Sequence, residues 1–245
     1  MMARAAREGL RSVYPRPHSN PAIGRSMPDR TLIYVGDPMC SWCWGFAPTV
    51  RQAVDLVGDR ANFSIITGGL RSETEPVPAE RRAMYRRIWP EIQQRTGQTF
   101  ANDLVDAPHF RYDTEPSCRA VVTARSMTGD LAALDLFVRL QAAFYVENLD
   151  VTQEDCCISV AVKAGYEPSQ FSDRFTSEAL RTATQEDFSQ ARSLGATGFP
   201  TVITTEASQG SYLTRGYQPF WALRAPLEDW LGRADQTASP EIPPP

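Results

Sequence analysis

The chain is poor in the residues that hold metals or nucleic acids. Only two histidines occur in 245 residues, His18 and His109, and they are far apart. No cysteine–histidine spacing of the zinc type accompanies them, which argues against a metalloenzyme. A basic excess is also missing: the net charge of -4 argues against a general nucleic-acid binder, which presents a basic face. No apolar run approaches the ~20 residues of a bilayer span, which excludes an integral membrane protein. The first residues lack the continuous apolar segment of a secretory signal. Lysine is nearly absent, Lys163 standing alone beside the arginines, a bias that carries no chemistry.

What is present is ordinary for a globular protein: 42% hydrophobic and 22% charged residues, enough for one large domain or two small ones. The ends differ from the middle. Residues 1–28 hold Pro15, Pro17, Pro21, Pro28 and five arginines against Glu8, and residues 234–245 hold Pro240, Pro243, Pro244 and Pro245. Both are expected to be disordered, as an arm and a tail. The arm reads as translation from an upstream start, with Met27 as the natural beginning, ahead of an organellar transit peptide.

Between them the elements follow a definite order. Thr31–Val35 is a short apolar, β-branched run of the kind buried on both faces of a sheet. A helical pattern starts at Ser41, with Phe46, Val50, Ala53, Val54 and Val57 on one stripe and Gly58 as its stop. Asn62–Ile66 reads as a second strand. The following ~110 residues read as mostly helical. Met84, Ile88 and Ile92 form one expected face, with Pro90 expected to kink that helix. Leu131, Leu134, Val138 and Phe144 or Tyr145 form another. Thr152 and Ser177 are expected helix caps. Pro200–Thr204 and Ser211–Thr214 then read as a hairpin around Ser208–Gly210. A last helix carries Phe220, Leu223, Leu227 and Trp230, with a bend expected at Pro226.

The chemistry is expected where the first strand meets the first helix. Cys40-Ser-Trp-Cys43 is a C-x-x-C motif at a helix start, where unpaired N–H groups and the positive end of the helix dipole favour a thiolate. A thiolate is the nucleophile of thiol–disulfide exchange. Cys40 is placed to attack and Cys43, one turn on, to resolve the mixed disulfide. No second C-x-x-C completes a zinc site. Thr197-Gly-Phe-Pro200-Thr-Val heads the returning strand. A cis proline there leaves the preceding backbone groups open to a substrate peptide.

This arrangement resembles the thioredoxin superfamily, an α/β fold, and the long helical insertion between the β-α-β and β-β-α halves resembles its DsbA family. Gly36-Asp-Pro-Met-Cys-Ser-Trp-Cys-Trp-Gly-Phe46, Glu115-Pro-Ser-Cys-Arg-Ala-Val-Val122 and Phe144-Tyr-Val-Glu-Asn-Leu-Asp-Val151 are similar to FrnE-like members. The resemblance implies a thioredoxin-like unit at 29–72 and 196–233 around an inserted helical domain at 73–195. It also implies a nucleophilic Cys40, a resolving Cys43, a cis Phe199–Pro200 bond, and Ser41, Trp42, Phe199 and Pro200 lining the substrate site.

Some positions depart from the family pattern. Ser41-Trp42 is neither Gly-Pro nor Pro-His, so strongly oxidising behaviour does not carry over; the Ser41 hydroxyl is a weaker substitute for the histidine. Tyr34 occupies the place of the buried acid six residues before the nucleophile, leaving proton transfer at Cys43 to water or another group, Asp37 among them. Cys118 reads as a buried thiol with a third redox partner as the alternative. At least one of Cys156 and Cys157 reads as core, since adjacent residues give distorted disulfide geometry. Trp44 and Phe46 read as core and Trp42 as the rim of an apolar groove. Arg71, Arg81, Arg82, Arg86 and Arg87 read as a solvated face, with anionic thiol binding as the alternative. An odd cysteine count without a secretory signal fits a reducing compartment, hence the cytoplasm.

Three functions follow as expectations. The first is a disulfide oxidoreductase or isomerase acting on protein thiols and disulfides without a cofactor, with glutathione as a possible redox partner and no nucleic acid or membrane. The second is a glutathione-dependent transferase or isomerase of the kappa or 2-hydroxychromene-2-carboxylate isomerase type. The third is a redox-linked chaperone.

Overall fold

A computed structural model describes residues 30–101, 103–206 and 209–237; the expected arm at 1–28 and most of the expected tail lie outside them. Four strands form the main sheet in the order β2 (Asn62–Thr67), β1 (Arg30–Gly36), β5 (Thr201–Glu206), β6 (Gln209–Arg215). The β1–β2 pair is parallel, and β1–β5 and β5–β6 are antiparallel. Helix α1 (Ser41–Val57) connects β1 to β2, and α8 (Phe220–Thr237) follows β6. Between β2 and β5 lie α2 (Ala79–Thr96), α3 (Glu115–Thr128), α4 (Asp130–Tyr145), α5 (Glu154–Lys163), α6 (Pro168–Phe175) and α7 (Glu178–Ser193). This is a thioredoxin fold with a helical insertion.

Strand alternation assigns the two faces. Leu32 and Tyr34 point into the large core with Phe46, Val50, Leu223 and Leu227. Ile33 and Val35 point the other way, onto Ile66, Ala191 and Ala196. β1 is thus covered on both sides, which is why its sequence is nearly continuous in apolar residues. Arg30, at its start, is buried; it donates to the carbonyls of Trp230 and Leu231 at 2.6 and 3.1 Å and pairs with Glu206.

The insertion is not wholly helical. Ser72–Pro76 (β3) and Arg111–Asp113 (β4) form an antiparallel ribbon. Short polar strands carry no apolar alternation by which sequence could find them. α6 lacked a sequence expectation; Glu167 caps it, accepting from the Ser169 and Gln170 amides, with Pro168 at its first position.

The buried face of α2 is Tyr85, Trp89 and Ile92, not Met84, Ile88 and Ile92. The aromatic pair buries more surface, stacking at 5.4 Å and meeting Phe144 and Tyr145. Leu131 is 57% exposed in the first turn of α4, outside the face expected for it. The Thr152 hydroxyl bonds Asp150 at 2.6 Å and does not cap α5, whereas Ser177 does cap α7 through the Leu180 amide. α2 and α8 run on through Pro90 and Pro226. α8 also reaches Thr237, four residues into the expected tail, because Arg233-Ala-Asp-Gln236 lacks the prolines found beyond it and permits a helix.

Candidate active site

Cys40 is the N-cap residue of α1, in extended conformation, with its amide bonded to the Asp37 carbonyl at 3.0 Å and its carbonyl accepting from the Trp44 amide. The loop between β1 and α1 is therefore a closed turn that presents Cys40 at the helix start. Cys40 retains 6% exposure, whereas Cys43 has none; both are thiols in this structure. The Cys40 Sγ donates to the Phe199 carbonyl at 3.6 Å, and the Phe199–Pro200 peptide is cis. Residues 159 positions apart thus meet at the start of α1.

Burial pushes the Cys43 thiol well above its ordinary pKa, and the neighbouring Cys40 adds to this. The backbone of Asp37 and the hydroxyl of Tyr34 act in the opposite direction. Tyr34 is fully buried, its own pKa raised first by burial and then by charge on Cys43. Its hydroxyl lies close to the sulfur but outside hydrogen-bond geometry to any partner among the described residues. Burial and the neighbouring Cys40 thus favour the neutral form of the enclosed Cys43 thiol.

The Asp37 carboxylate faces elsewhere. It accepts from the Met39 amide at 2.8 Å, the Leu70 amide at 2.7 Å, the Thr114 hydroxyl at 2.7 Å and the Cys118 thiol at 3.3 Å. No hydrogen bond runs from this carboxylate to Cys43. It fastens the C-x-x-C loop to the β2–β3 connection and to the start of α3. Burial raises its pKa against the pull of these four donors. A folded-state pKa above the unfolded value means that the folded state keeps this proton longer, so its contribution to stability declines as pH rises. Urea unfolding is expected to show wild type losing stability relative to Asp37→Asn as pH climbs from about 3.9, the ordinary value. Parallel pH curves for the two proteins would contradict this.

The Met39 carbonyl, one residue before Cys40, accepts hydrogen bonds from the hydroxyls of both Tyr112 and Tyr145. Neither tyrosine, nor Thr114, was a sequence candidate. Cys118 is buried, and burial raises its pKa, followed by the Asp37 charge. Cys157 is buried and bonds the Val151 carbonyl, while Cys156 is partly exposed.

Trp44 and Phe46 are core residues, and Trp42, Ser41 and Phe199 are partly exposed. Trp44 Nε1 donates to the Thr99 carbonyl at 2.9 Å, and Gln98 Nε2 donates to the Trp44 carbonyl at 3.0 Å. The end of α2 is thereby pinned to the first turn of α1. Three of the five arginines in the arginine-rich stretch are paired: Arg71 and Arg81 share Glu73, and Arg86 pairs with Asp106.

A thioredoxin family model matches residues 33–222. The chain belongs to the thioredoxin superfamily. A solved structure described as a protein disulfide isomerase from Nitrosomonas europaea is 33% identical, covers 83% of this chain and 98% of its own, and superposes with a TM-score of 0.77. The cytosolic disulfide reductase DsbM from Pseudomonas aeruginosa, solved with GSH, is 26% identical over 84% of this chain and 98% of its own, with a TM-score of 0.63. A curated relative, the ClpXP adapter protein SpxH of Halalkalibacterium halodurans, is 24% identical over 80% of this chain; the chain spans 66% of that protein's length. This thioredoxin-superfamily chain has no helix long and apolar enough to cross a membrane among its described residues. Those residues also hold no cluster of three or more histidine, cysteine or acidic side chains fit for a metal.

Proposed function

We propose that this protein is a thiol–disulfide oxidoreductase of the cytoplasm that exchanges electrons with protein thiols and disulfides, using glutathione as a small redox partner and no bound cofactor. The observation that carries the reading is the meeting of Cys40, at the start of α1, with the Phe199 carbonyl while Cys43 lies buried one turn further on. In the oxidising half-cycle, the Cys40 thiolate attacks one sulfur of a substrate disulfide, forming a mixed disulfide and expelling one substrate thiolate. Cys43 then loses its proton and attacks the Cys40 sulfur. The second substrate thiolate leaves, and a Cys40–Cys43 disulfide remains. Both substrate sulfurs depart reduced, as thiolates that take up protons from solvent. Net direction follows from the potential of the pair against that of its surroundings.

Cys40 is the proposed nucleophile because it occupies the N-cap position of α1 and keeps a trace of exposure; Cys43 has neither property. Ser41 and Trp42 flank the attacking sulfur, and Phe199 and Pro200 supply the backbone edge against which an extended substrate aligns. Cysteine at both positions supports redox chemistry over the serine-hydroxyl chemistry of the transferase alternative. Dithiothreitol-driven insulin reduction tests the reading: activity at wild-type level in Cys40→Ser would end it.

The Phe199 edge has its own test. A Cβ added at Gly68 would lie 2.0 Å from Phe199 Cζ, so a methyl group there must displace the ring that backs the cis peptide. Gly68→Ala is expected to lower kcat/KM for a protein disulfide by about tenfold, because misplacing a positioning group by an ångström weakens catalysis strongly. The reaction with a small disulfide, which uses less of this edge, is expected to fall less. An equal loss for both substrates would show that the edge does not position the substrate backbone.

A further inference from the structure

Arg95 lies in the last turn of α2, where an arginine commonly serves the helix's own carbonyls. Here it does something else. Its guanidinium carbon sits 5.5 Å from the Trp42 ring centroid and 5.6 Å from that of Tyr217, and those two rings lie 5.8 Å apart. Trp42 belongs to the C-x-x-C motif itself, two residues from Cys40, so this cation lies against a side chain of the motif.

Its position is built into the fold. Gly45 lets α2 approach α1 closely: a Cβ there would lie 2.8 Å from Thr96 Cγ2 and 3.2 Å from Ile92 Cγ2. The Trp44–Thr99 and Gln98–Trp44 hydrogen bonds lock the following residues in place. Arg95 is nevertheless exposed, and no carboxylate pairs with it among the described residues, whereas Arg71, Arg81 and Arg86 all have acidic partners. A guanidinium held within about 6 Å of two ring centroids, with no carboxylate partner among the described residues, has N–H groups left to offer a carboxylate.

We propose that Arg95 is a specificity-determining residue that selects thiols and disulfides carrying a carboxylate close to the reacting sulfur. The proposal rests on Cys40 being the attacking residue. The Cys40 thiolate attacks one sulfur of the anionic disulfide while its carboxylate lies against Arg95. One anionic thiolate leaves with its electron pair. Cys43 then displaces the second, so one disulfide is reduced as the Cys40–Cys43 disulfide forms.

The test uses the full-length, reduced protein and stopped-flow tryptophan fluorescence. Second-order rate constants are measured with glutathione disulfide, which carries carboxylates, and with bis(2-hydroxyethyl) disulfide, which carries none. In wild type, the ratio of the two constants is expected to exceed that of free dithiothreitol and to fall with added salt. Arg95→Met is expected to lower this ratio roughly three- to tenfold, the range of an accessible charge-assisted contact, and to remove most of its salt dependence. Arg95→Lys is expected to retain part of the preference, because the charge remains while the fork is lost. An unchanged ratio in Arg95→Met overturns the proposal, as does an equal loss with both disulfides, which would mark Arg95 as structural. Wild-type protein reacting with neither disulfide would instead overturn the redox role of Cys40.

Discussion

Replacing Cys40 with serine is expected to reduce insulin-reductase turnover by about three orders of magnitude or more, since a neutral hydroxyl cannot replace a thiolate as nucleophile or form a disulfide. Cys43→Ser is expected to give a different result. Cys40 can still attack, but nothing resolves the mixed disulfide, so the protein accumulates joined to its substrate. Non-reducing electrophoresis and mass spectrometry would detect this adduct in Cys43→Ser and not in Cys40→Ser. The asymmetry follows from placement: Cys40 caps the helix with residual exposure, and Cys43 has none. Adducts forming through position 43 instead would reverse the assignment.

The largest expected stability loss lies far from the sulfurs. Arg119, on α3, has a fully buried side chain. It donates to Glu115 at 2.8 Å, to Glu154 at 2.6 Å and to the Phe175 carbonyl at 2.7 Å, with its guanidinium over the Phe175 ring at 4.2 Å. Burial alone would lower its pKa, but Glu154 and Glu115 outweigh this and hold it above the ordinary arginine value. Arg119→Ala removes the hub of α3, α5 and α6 at once. The expected loss is about 3–4 kcal/mol, from a broken ion network and a cavity. That corresponds to a fall of roughly 6–16 °C in Tm for a chain of this size. Arg119→Met, which fills the volume without charge, is expected to lose less. Both variants should retain turnover per folded molecule when assayed below their transitions. A Tm shift under about 2 °C for the alanine variant would contradict the role.

The C-x-x-C motif, its helix and the proline loop were legible because each has a local signature: a strand end, a helix start and a strand head in a fixed order. The sheet strands β1 and β5 were legible because burial on both faces leaves little room for polar residues. The β3–β4 ribbon was not, because Ser72-Glu-Thr-Glu-Pro76 is polar throughout and its pairing is nonlocal. The support around Cys40 was hidden for a related reason. Tyr112, Thr114, Cys118 and Tyr145 lie more than seventy positions from the loop they hold. Two of them, Cys118 and Tyr145, fall within the stretches that carry the family resemblance, but resemblance alone gave them no role. Arg95 has no local signature: it follows a denser arginine run, three members of which have acidic partners.

The clasp on Met39 has a further consequence. A carbonyl oxygen has two lone pairs, and here both meet tyrosine hydroxyls, so the backbone just ahead of Cys40 has no acceptor to offer a passing chain. A polypeptide substrate of the kind proposed would then dock along one rail, on the proline side, because Met39 is closed to backbone pairing. Such a one-sided berth would discriminate little between sequences and would leave the choice of cargo to whatever lies next to the sulfur.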